Sequence, residues 1–100
     1  MARFDVYRQY GNRDLLLDCQ ADALHHLDTC LTVPLFPFAN APSPSVTRLN
    51  PSFTIDGHRY VMMTQYASAI RRKDLGERIL HLGEEHSAIM NALDMLLTGY

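Results

Sequence analysis

Residues 53–63 have the sequence Phe-Thr-Ile-Asp-Gly-His-Arg-Tyr-Val-Met-Met, in which an Asp-Gly pair separates two runs of β-branched, aromatic and apolar residues. Aspartate and glycine both accept the positive φ angles that a two-residue hairpin turn requires. Two strand-forming runs around such a turn are typical of a tight β-hairpin. The stretch therefore predicts two strands that turn at Asp56 and Gly57.

The N-terminal part of the chain predicts a second hairpin. Residues 3–7 alternate polar and apolar side chains, which at the two-residue period of a strand places Phe4 and Val6 on one face. Residues 15–19 form a short apolar run typical of a buried strand. The polar residues 10–14 between them predict a mobile loop.

The middle of the chain is less regular. Residues 31–33 predict a third strand, which Pro34 should end or confine to a sheet edge. Residues 21–27 are ambiguous, although Asp22 is a suitable cap for a short helical turn. Prolines, serines and asparagines are frequent in residues 36–51, which predicts a long irregular connection.

A helix is predicted from about Gly83 to Leu97, with Glu84 and Glu85 in the first turn, where the helix dipole favours negative charge. Its apolar residues are Ala88, Ile89, Met90, Ala92, Leu93, Met95, Leu96 and Leu97. They cover well over half of the circumference, more than one sheet contact can bury. We expect a second copy of the chain to cover the remainder in a homodimer; the alternative is that the proline-rich connection covers it.

Composition limits the classes of function. One hundred residues, 47% hydrophobic and 20% charged, predict a single folded domain over residues 1–100. A net charge of −2 supplies no positive field for phosphate backbones, so direct nucleic-acid binding is not expected. No apolar stretch approaches the roughly 20 residues of a membrane span. Because Cys19 and Cys30 are too few for a disulfide framework and no leader pattern opens the chain, we expect a cytoplasmic protein with reduced thiols.

No motif predicts a cofactor, a metal or a catalytic centre. His81 and His86 are five residues apart and would not share a helix face, and there is no phosphate loop, Gly-x-Ser-x-Gly elbow or Cys-x-x-Cys pair. Scattered groups such as Asp18, His58 and Arg59 leave an enzyme as the alternative. The basic residues 71–73 are expected to be solvated surface, with contact to an acidic partner as the second possibility.

The last five residues, 96–100, have the sequence Leu-Leu-Thr-Gly-Tyr. Gly99 is suited to end the helix as its C-cap and leaves one aromatic residue after it. A frayed terminus is the default for such a segment. The alternative is a projecting segment that binds a partner.

Segments along nearly the whole chain resemble one family in matching order. They include Leu-Asp-Cys-Gln-Ala-Asp at 17–22, Thr-Val-Pro-Leu at 32–35, Leu-Asn-Pro at 49–51, Ile-Asp-Gly at 55–57, and residues 89–94 leading into a terminal x-Gly-x. Together they are similar to the CcdB proteins.

The resemblance implies a mostly β, α+β fold shared with the MazF and Kid toxins. Its parts would be a small SH3-like barrel or twisted antiparallel sheet, a small three-stranded sheet, and a C-terminal α-helix at the dimer seam. The implied function is that of a type II toxin, not an enzyme, that binds the A subunit of DNA gyrase, traps the gyrase–DNA cleavage complex and serves plasmid maintenance. A partly disordered, CcdA-like antitoxin would neutralise it.

The resemblance also implies a gyrase-binding surface, carried over by position to Thr98, Gly99, Tyr100, Asp94, Ala23 and Leu24. The best-known plasmid-borne member has tryptophan, isoleucine and asparagine where this chain has Thr98, Tyr100 and Asp94. Because a large aromatic side chain often dominates the energy of an interface, the absent tryptophan puts the affinity or the target in doubt. The alternatives to a gyrase poison are an endoribonuclease of the related MazF type and a relative that is not toxic.

Overall fold

The computed structural model of the protein describes residues 2–9, 14–41 and 47–99. Within these ranges, seven strands precede one α-helix. The strands are β1 (Asp5–Gln9), β2 (Leu15–Asp18), β3 (Thr29–Pro37), β4 (Ser52–Ile55), β5 (His58–Met62), β6 (Ser68–Arg71) and β7 (Leu75–His81), and the helix is α1 (His86–Thr98). The strands form one antiparallel sheet in the order β4-β5-β3-β2-β1-β7, with β6 also paired to β3. The sheet curls into a half-barrel, so the expected mostly β fold with a C-terminal helix is confirmed.

The long strand β3 connects the parts of the sheet. One of its edges pairs with β2 through Thr32–Leu35. On the other edge, residues 29–32 pair with β6 and residues 35–37 pair with β5. The three-stranded part formed by β4, β5 and the end of β3 is therefore continuous with the rest of the sheet.

Pro34 lies inside β3, so the prediction that it ends this strand or confines it to an edge was wrong. The Pro34 carbonyl accepts a hydrogen bond from the Met63 N–H at 3.0 Å. In antiparallel pairing the N–H and C=O of a residue point to the same edge, so the donor that proline lacks would face this side too. The partner strand is interrupted there, between the end of β5 at Met62 and the start of β6 at Ser68. A proline at this point costs no ladder hydrogen bond.

The hairpin at Asp56 and Gly57 is confirmed. It joins β4 to β5, and the two turn residues have φ angles of 52° and 80°. Positive φ at both central positions is the geometry of a type I′ turn, which matches the twist of the flanking strands. Phe53 and Ile55 of β4 are buried in the main core.

Strand β7 was not predicted from the sequence. Its pairing with β1 shifts register twice, between Val6 and Tyr7 and between Tyr7 and Gln9. Such irregularities break the two-residue alternation by which a strand is recognised. Glu77 and Arg78 also interrupt its apolar residues.

The described residues form two apolar clusters in the core. The larger one contains Phe4, Val6, Leu15, Leu17, Cys19, Val33, Leu35, Phe53, Ile55, Met62, Leu82, Ile89, Ala92 and Leu93. The smaller one contains Tyr7, Leu16, Cys30 and Leu75. The expectation that Phe4 and Val6 share a face is confirmed, because both belong to the larger cluster while Tyr7 belongs to the smaller one.

Cys19 and Cys30 are both free and buried. Burial, together with the nearby Asp18 carboxylate, raises the pKa of each thiol to about 12. Since the thiolate is the reactive form, neither cysteine is a nucleophile near neutral pH. No helix in the described part of the chain is long and apolar enough to cross a membrane.

Candidate partner-binding site

Helix α1 follows a 3-10 turn at Gly83–Glu85, so the predicted helix from Gly83 to Leu97 is confirmed with a tighter first turn. Ile89, Ala92 and Leu93 are its buried residues. Their spacing of three and four residues places them on one face. This face packs against the sheet as part of the larger core cluster.

Another part of the helix surface is apolar and open to solvent. Leu97 is 77% exposed and Leu96 is 40% exposed, while Met90 and Met95 are half-buried. The polar residues Ser87, Asn91 and Asp94 are exposed as well. The sheet therefore covers only part of the wide apolar arc, and the last helical turn carries the most exposed leucine.

The helix ends in a defined geometry. Gly99 has a φ of 83°, and its N–H donates to the Met95 carbonyl at 2.9 Å, so it is the predicted C-cap. The Thr98 hydroxyl donates to the Asp94 carbonyl at 2.6 Å. Asp94, Thr98 and Gly99 thus form one ordered, exposed end. Tyr100, the remaining residue of the proposed tail, lies outside the described residues.

Ala23 and Leu24 lie at the other end of the helix. They belong to a 3-10 turn at Asp22–Leu24, and Leu24 is 43% exposed. The predicted capping role of Asp22 was wrong, because its carboxylate instead accepts a hydrogen bond from the Arg3 N–H at 2.6 Å.

Arg3 also contacts His86, the first residue of α1, with its Nη2 3.4 Å from the imidazole Nε2. The 3-10 turn is therefore tied to the start of the helix. Thirteen helical residues separate that point from the tail, a distance of about 20 Å at 1.5 Å per residue. The two parts of the carried-over surface do not form one patch within a single chain.

A buried carboxylate that the sequence did not single out joins β1 to β7. Asp5 is 2% exposed. Its Oδ2 accepts from the Ala2 N–H at 2.9 Å and lies 3.2 Å from Nε of Arg78, and its Oδ1 lies 2.9 Å from Nδ1 of His81. The only sequence signal was an acidic residue inside a strand, and both side-chain partners lie on the unpredicted β7.

The surroundings of Asp5 act on its pKa in both directions. Burial raises the pKa, but the hydrogen bonds from Arg78, Ala2 and His81 and the charge of Arg78 together outweigh burial and lower it. The carboxylate is therefore ionised at neutral pH. The Asp5–Arg78 pair also raises the pKa of the guanidinium.

The structure does not bring together the scattered groups Asp18, His58 and Arg59. Arg59 stacks over the Phe38 ring with its Cζ 4.1 Å from the ring centroid. Asp18 pairs with Thr32 of β3, whereas the neighbour of Arg59, Tyr60, pairs with Pro37. Five strand residues, about 16 Å, separate these two points.

His81 and His86 do not share a helix, because His81 ends β7 and His86 begins α1. The described residues contain no group of three or more histidine, cysteine, aspartate or glutamate side chains arranged to hold a metal ion.

Solved structures of small bacterial toxins have this fold. An endoribonuclease from mycobacterial species, in complex with its cognate antitoxin, matches with a TM-score of 0.75 and 16% identity over 97% of this chain and 92% of its own. An endoribonuclease from mycobacterial species matches with a TM-score of 0.74 and 18% identity over 97% and 90%. The Mycobacterium tuberculosis toxin MazF-mt6 matches with a TM-score of 0.73 and 15% identity over 92% and 93%. At these identities the likeness defines the fold, which is that of the MazF-like toxins.

The sequence identifies the family within that fold. The family model for CcdB protein matches residues 3–99, so this chain belongs to the CcdB family of toxin–antitoxin toxins. No curated protein matched the chain.

Proposed function

We propose that this protein is the toxin of a type II toxin–antitoxin system, and that it binds the A subunit of DNA gyrase and traps the gyrase–DNA cleavage complex. Membership of the CcdB family supports this target. The structural observation that carries the proposal is the exposed apolar last turn of α1, ending at an ordered αL glycine. We propose that it acts by binding and catalyses no reaction of its own.

The acting form would be a two-fold homodimer. Leu96, Leu97 and the half-buried Met95 offer apolar surface that the sheet of the same chain leaves uncovered. Burial of such surface against a second copy is favourable, and a two-fold arrangement uses the same patch on both chains. Such a pair would present two tails to gyrase, itself a two-fold symmetric target. In such a pair the tail of one chain can meet the Ala23–Leu24 turn of the other, so the separation of about 20 Å within one chain does not prevent a common surface.

Trapping of cleaved DNA requires differential binding. A ligand shifts an equilibrium only by binding one state more tightly than the other. The tail must therefore fit the gyrase–DNA cleavage complex better than it fits resting gyrase. Thr98 provides no large aromatic anchor, so Tyr100 would provide the apolar contact and Asp94 a negative charge one turn earlier.

The natural regulator in this proposal is a CcdA-like antitoxin. One of the structural neighbours was solved with its cognate antitoxin, which supports a partner of this kind for this fold. A partly disordered antitoxin that orders on the toxin loses conformational entropy, so it needs a large contact surface to bind tightly.

A MazF-like endoribonuclease is the second candidate. Asp5, His81 and Arg78 are in contact, and a carboxylate, an imidazole and a guanidinium are the kinds of group that acid–base cleavage of RNA uses. Against it, Nε2 of His81 packs so closely on Gly83 that a Cβ there would overlap the ring. The outer nitrogen of the imidazole therefore faces the main chain. Cleavage of RNA by the purified protein without gyrase would favour this candidate.

Removal of residues 98–100 is expected to abolish growth arrest in bacteria that express the protein without antitoxin. These residues lie beyond the buried part of α1, so the shortened chain should fold with a loss of about 1 kcal/mol from the missing C-terminal cap. The matched control is Asn91→Ala on the exposed polar strip of the same helix, which should remain toxic.

The measurement is colony survival after induction, with circular dichroism and gel filtration of both purified variants. Gly99→Val provides a second test, because a β-branched residue cannot hold a φ of 83° without strain. Growth arrest by a folded truncated protein would show that the tail is not the binding element.

A further inference from the structure

Three consecutive basic residues line a cleft that the proposed gyrase contact does not use. The cleft has a volume of about 590 Å³ and lies between two segments, residues 25–28 and residues 71–73. Its lining has three basic side chains, Arg71, Arg72 and Lys73, against the single carboxylate of Asp28. These are three of the nine basic residues of a chain whose net charge is −2. The cleft is therefore a local positive site on an acidic protein.

Two hydrogen bonds to main-chain carbonyls hold the two walls of this cleft together. The Arg72 N–H donates to the Asp28 carbonyl at 2.8 Å, and Nε of Arg72 donates to the Leu27 carbonyl at 2.8 Å. Arg71 pairs with Asp74 at 3.1 Å on the surface. Lys73 forms no ion pair within the described ranges, and the residue is exposed.

Strand β6 offers main-chain hydrogen bonding next to the cleft. It pairs with β3 along one side, and no strand of the described residues pairs with its other side. Successive residues of a strand point their main-chain groups to opposite edges, and the Arg72 N–H points to Asp28, next to β3. The main-chain groups of Ile70 and Ser68 therefore face β3 as well. The N–H and C=O groups of Ala69 and Arg71 therefore face away from β3.

A second cleft, of about 370 Å³, continues this open edge. It is lined by Gln9, Ala69, Ile70, Arg71 and Asp74. Arg71 borders both clefts, so the outer edge of β6 leads from the second cleft into the first.

We infer that an extended acidic segment of a protein partner adds as a strand to the outer edge of β6 and places its carboxylates against Arg71, Arg72 and Lys73. Main-chain pairing at a sheet edge gives affinity, and the side chains alongside give specificity. A short edge with basic side chains also repels its own copy in another molecule, so it favours a strand of opposite charge. The inference rests on the proposed function only in taking the antitoxin as the natural source of the segment.

The lining fits a peptide better than a nucleic acid. Leu27 is 40% exposed at the cleft, and the Asp28 carboxylate and the neighbouring Asp74 would repel a continuous phosphate backbone. A peptide can alternate acidic with apolar side chains, and its own N–H and C=O groups match those of Ala69 and Arg71. A nucleic acid has no strand-like main chain for that edge.

The test uses fluorescence anisotropy with the full chain at low salt. The probe is a labelled ten-residue peptide in which glutamate and valine alternate, and a second peptide has glutamine in place of each glutamate. A third has proline in place of each valine, which removes main-chain donors without changing the charge. We expect only the first peptide to bind well.

Charge reversal by R71E/K73E should weaken binding of the first peptide at least about tenfold, because it replaces two attractions with two repulsions. R48E/R59E makes the same change in net charge at two exposed arginines outside β6 and should leave binding unchanged. Circular dichroism checks that both variants fold. If R71E/K73E does not fold, Lys73→Ala replaces it, and this single change is expected to weaken binding by a smaller factor.

Four results would overturn the inference: equal binding of the glutamate and glutamine peptides, equal binding of the proline peptide, equal losses in the two charge variants, or tighter binding of a ten-nucleotide single-stranded RNA that R71E/K73E abolishes. Gyrase is absent and residues 98–100 are intact throughout, so these outcomes do not depend on the proposed gyrase contact.

Discussion

Replacing Ile89 with alanine is expected to lower the free energy of unfolding by about 2–5 kcal/mol, because three carbon atoms leave a fully packed site. Ile89 is 0% exposed and belongs to the larger core cluster. A single domain of this size has a total stability of only about 5–15 kcal/mol. The variant should therefore unfold at a much lower denaturant concentration than the unchanged protein.

Leu97→Ala is the matched control, since it removes the same number of carbon atoms from a side chain that is 77% exposed. Within one chain its cost should stay below about 0.5 kcal/mol. If Leu97 lies in the proposed seam, the remaining loss should depend on protein concentration, because association stabilises by mass action. Chemical denaturation followed by circular dichroism at two protein concentrations measures both effects. Equal losses of stability in the two variants, independent of protein concentration, would refute the division of α1 into a face buried in the core and a face open to a second copy.

The second large effect is expected from replacing Asp5 with alanine, which should lower the free energy of unfolding by about 2–3 kcal/mol at neutral pH. Three hydrogen bonds to one buried carboxylate are lost, and two of their donors belong to basic side chains. The estimate stays low because Arg78 and His81 are about half exposed and water can solvate them after the change. Asp74→Ala is the control, since its ion pair with Arg71 is exposed and should contribute less than about 0.5 kcal/mol.

The contribution of Asp5 should depend on pH in a defined direction. Its pKa is lower in the folded protein than in the unfolded chain, where it is about 3.9. The stabilisation is thus complete above that value and is lost as pH falls through the lower, folded pKa. Unfolding free energies measured from pH 7 to pH 2 should show the unchanged protein and Asp5→Ala converging below about pH 4. A constant difference over the whole range would mean that the carboxylate charge contributes nothing.

Local chemistry predicted those elements whose reason for forming lies in adjacent residues. Asp56 and Gly57 are sufficient to define their hairpin, because the turn needs only residues that accept positive φ. Gly99 likewise marked the end of α1. The apolar arc of the helix predicted that contact with one sheet would leave part of it uncovered.

Elements that depend on distant parts of the chain could not be predicted in this way. Pro34 is tolerated inside β3 only because the partner strand is interrupted beside it, between Met62 and Ser68. Strand β7 has an irregular register against β1, and the Asp5–His81 contact spans 76 residues. The β6 edge follows from its position beside β3, which the sequence of residues 68–71 does not reveal.

The proposed gyrase contact has a different basis, since it was carried over from a family by position. Ala23 and Leu24 stay with the start of α1, whereas Thr98 and Gly99 stay with its end. Whether they form one surface depends on how two copies pair. The arrangement of two copies is not predicted by the sequence patterns of one chain.

The most direct test of the account is the cleavage state of plasmid DNA incubated with purified gyrase, ATP and an excess of this protein, after denaturation and protease digestion of gyrase. We expect linear DNA to accumulate with the full chain and to be absent with the folded chain that lacks residues 98–100. Failure of the full chain to produce linear DNA, or linear DNA without gyrase, would contradict the claim that this protein acts by holding gyrase on cleaved DNA.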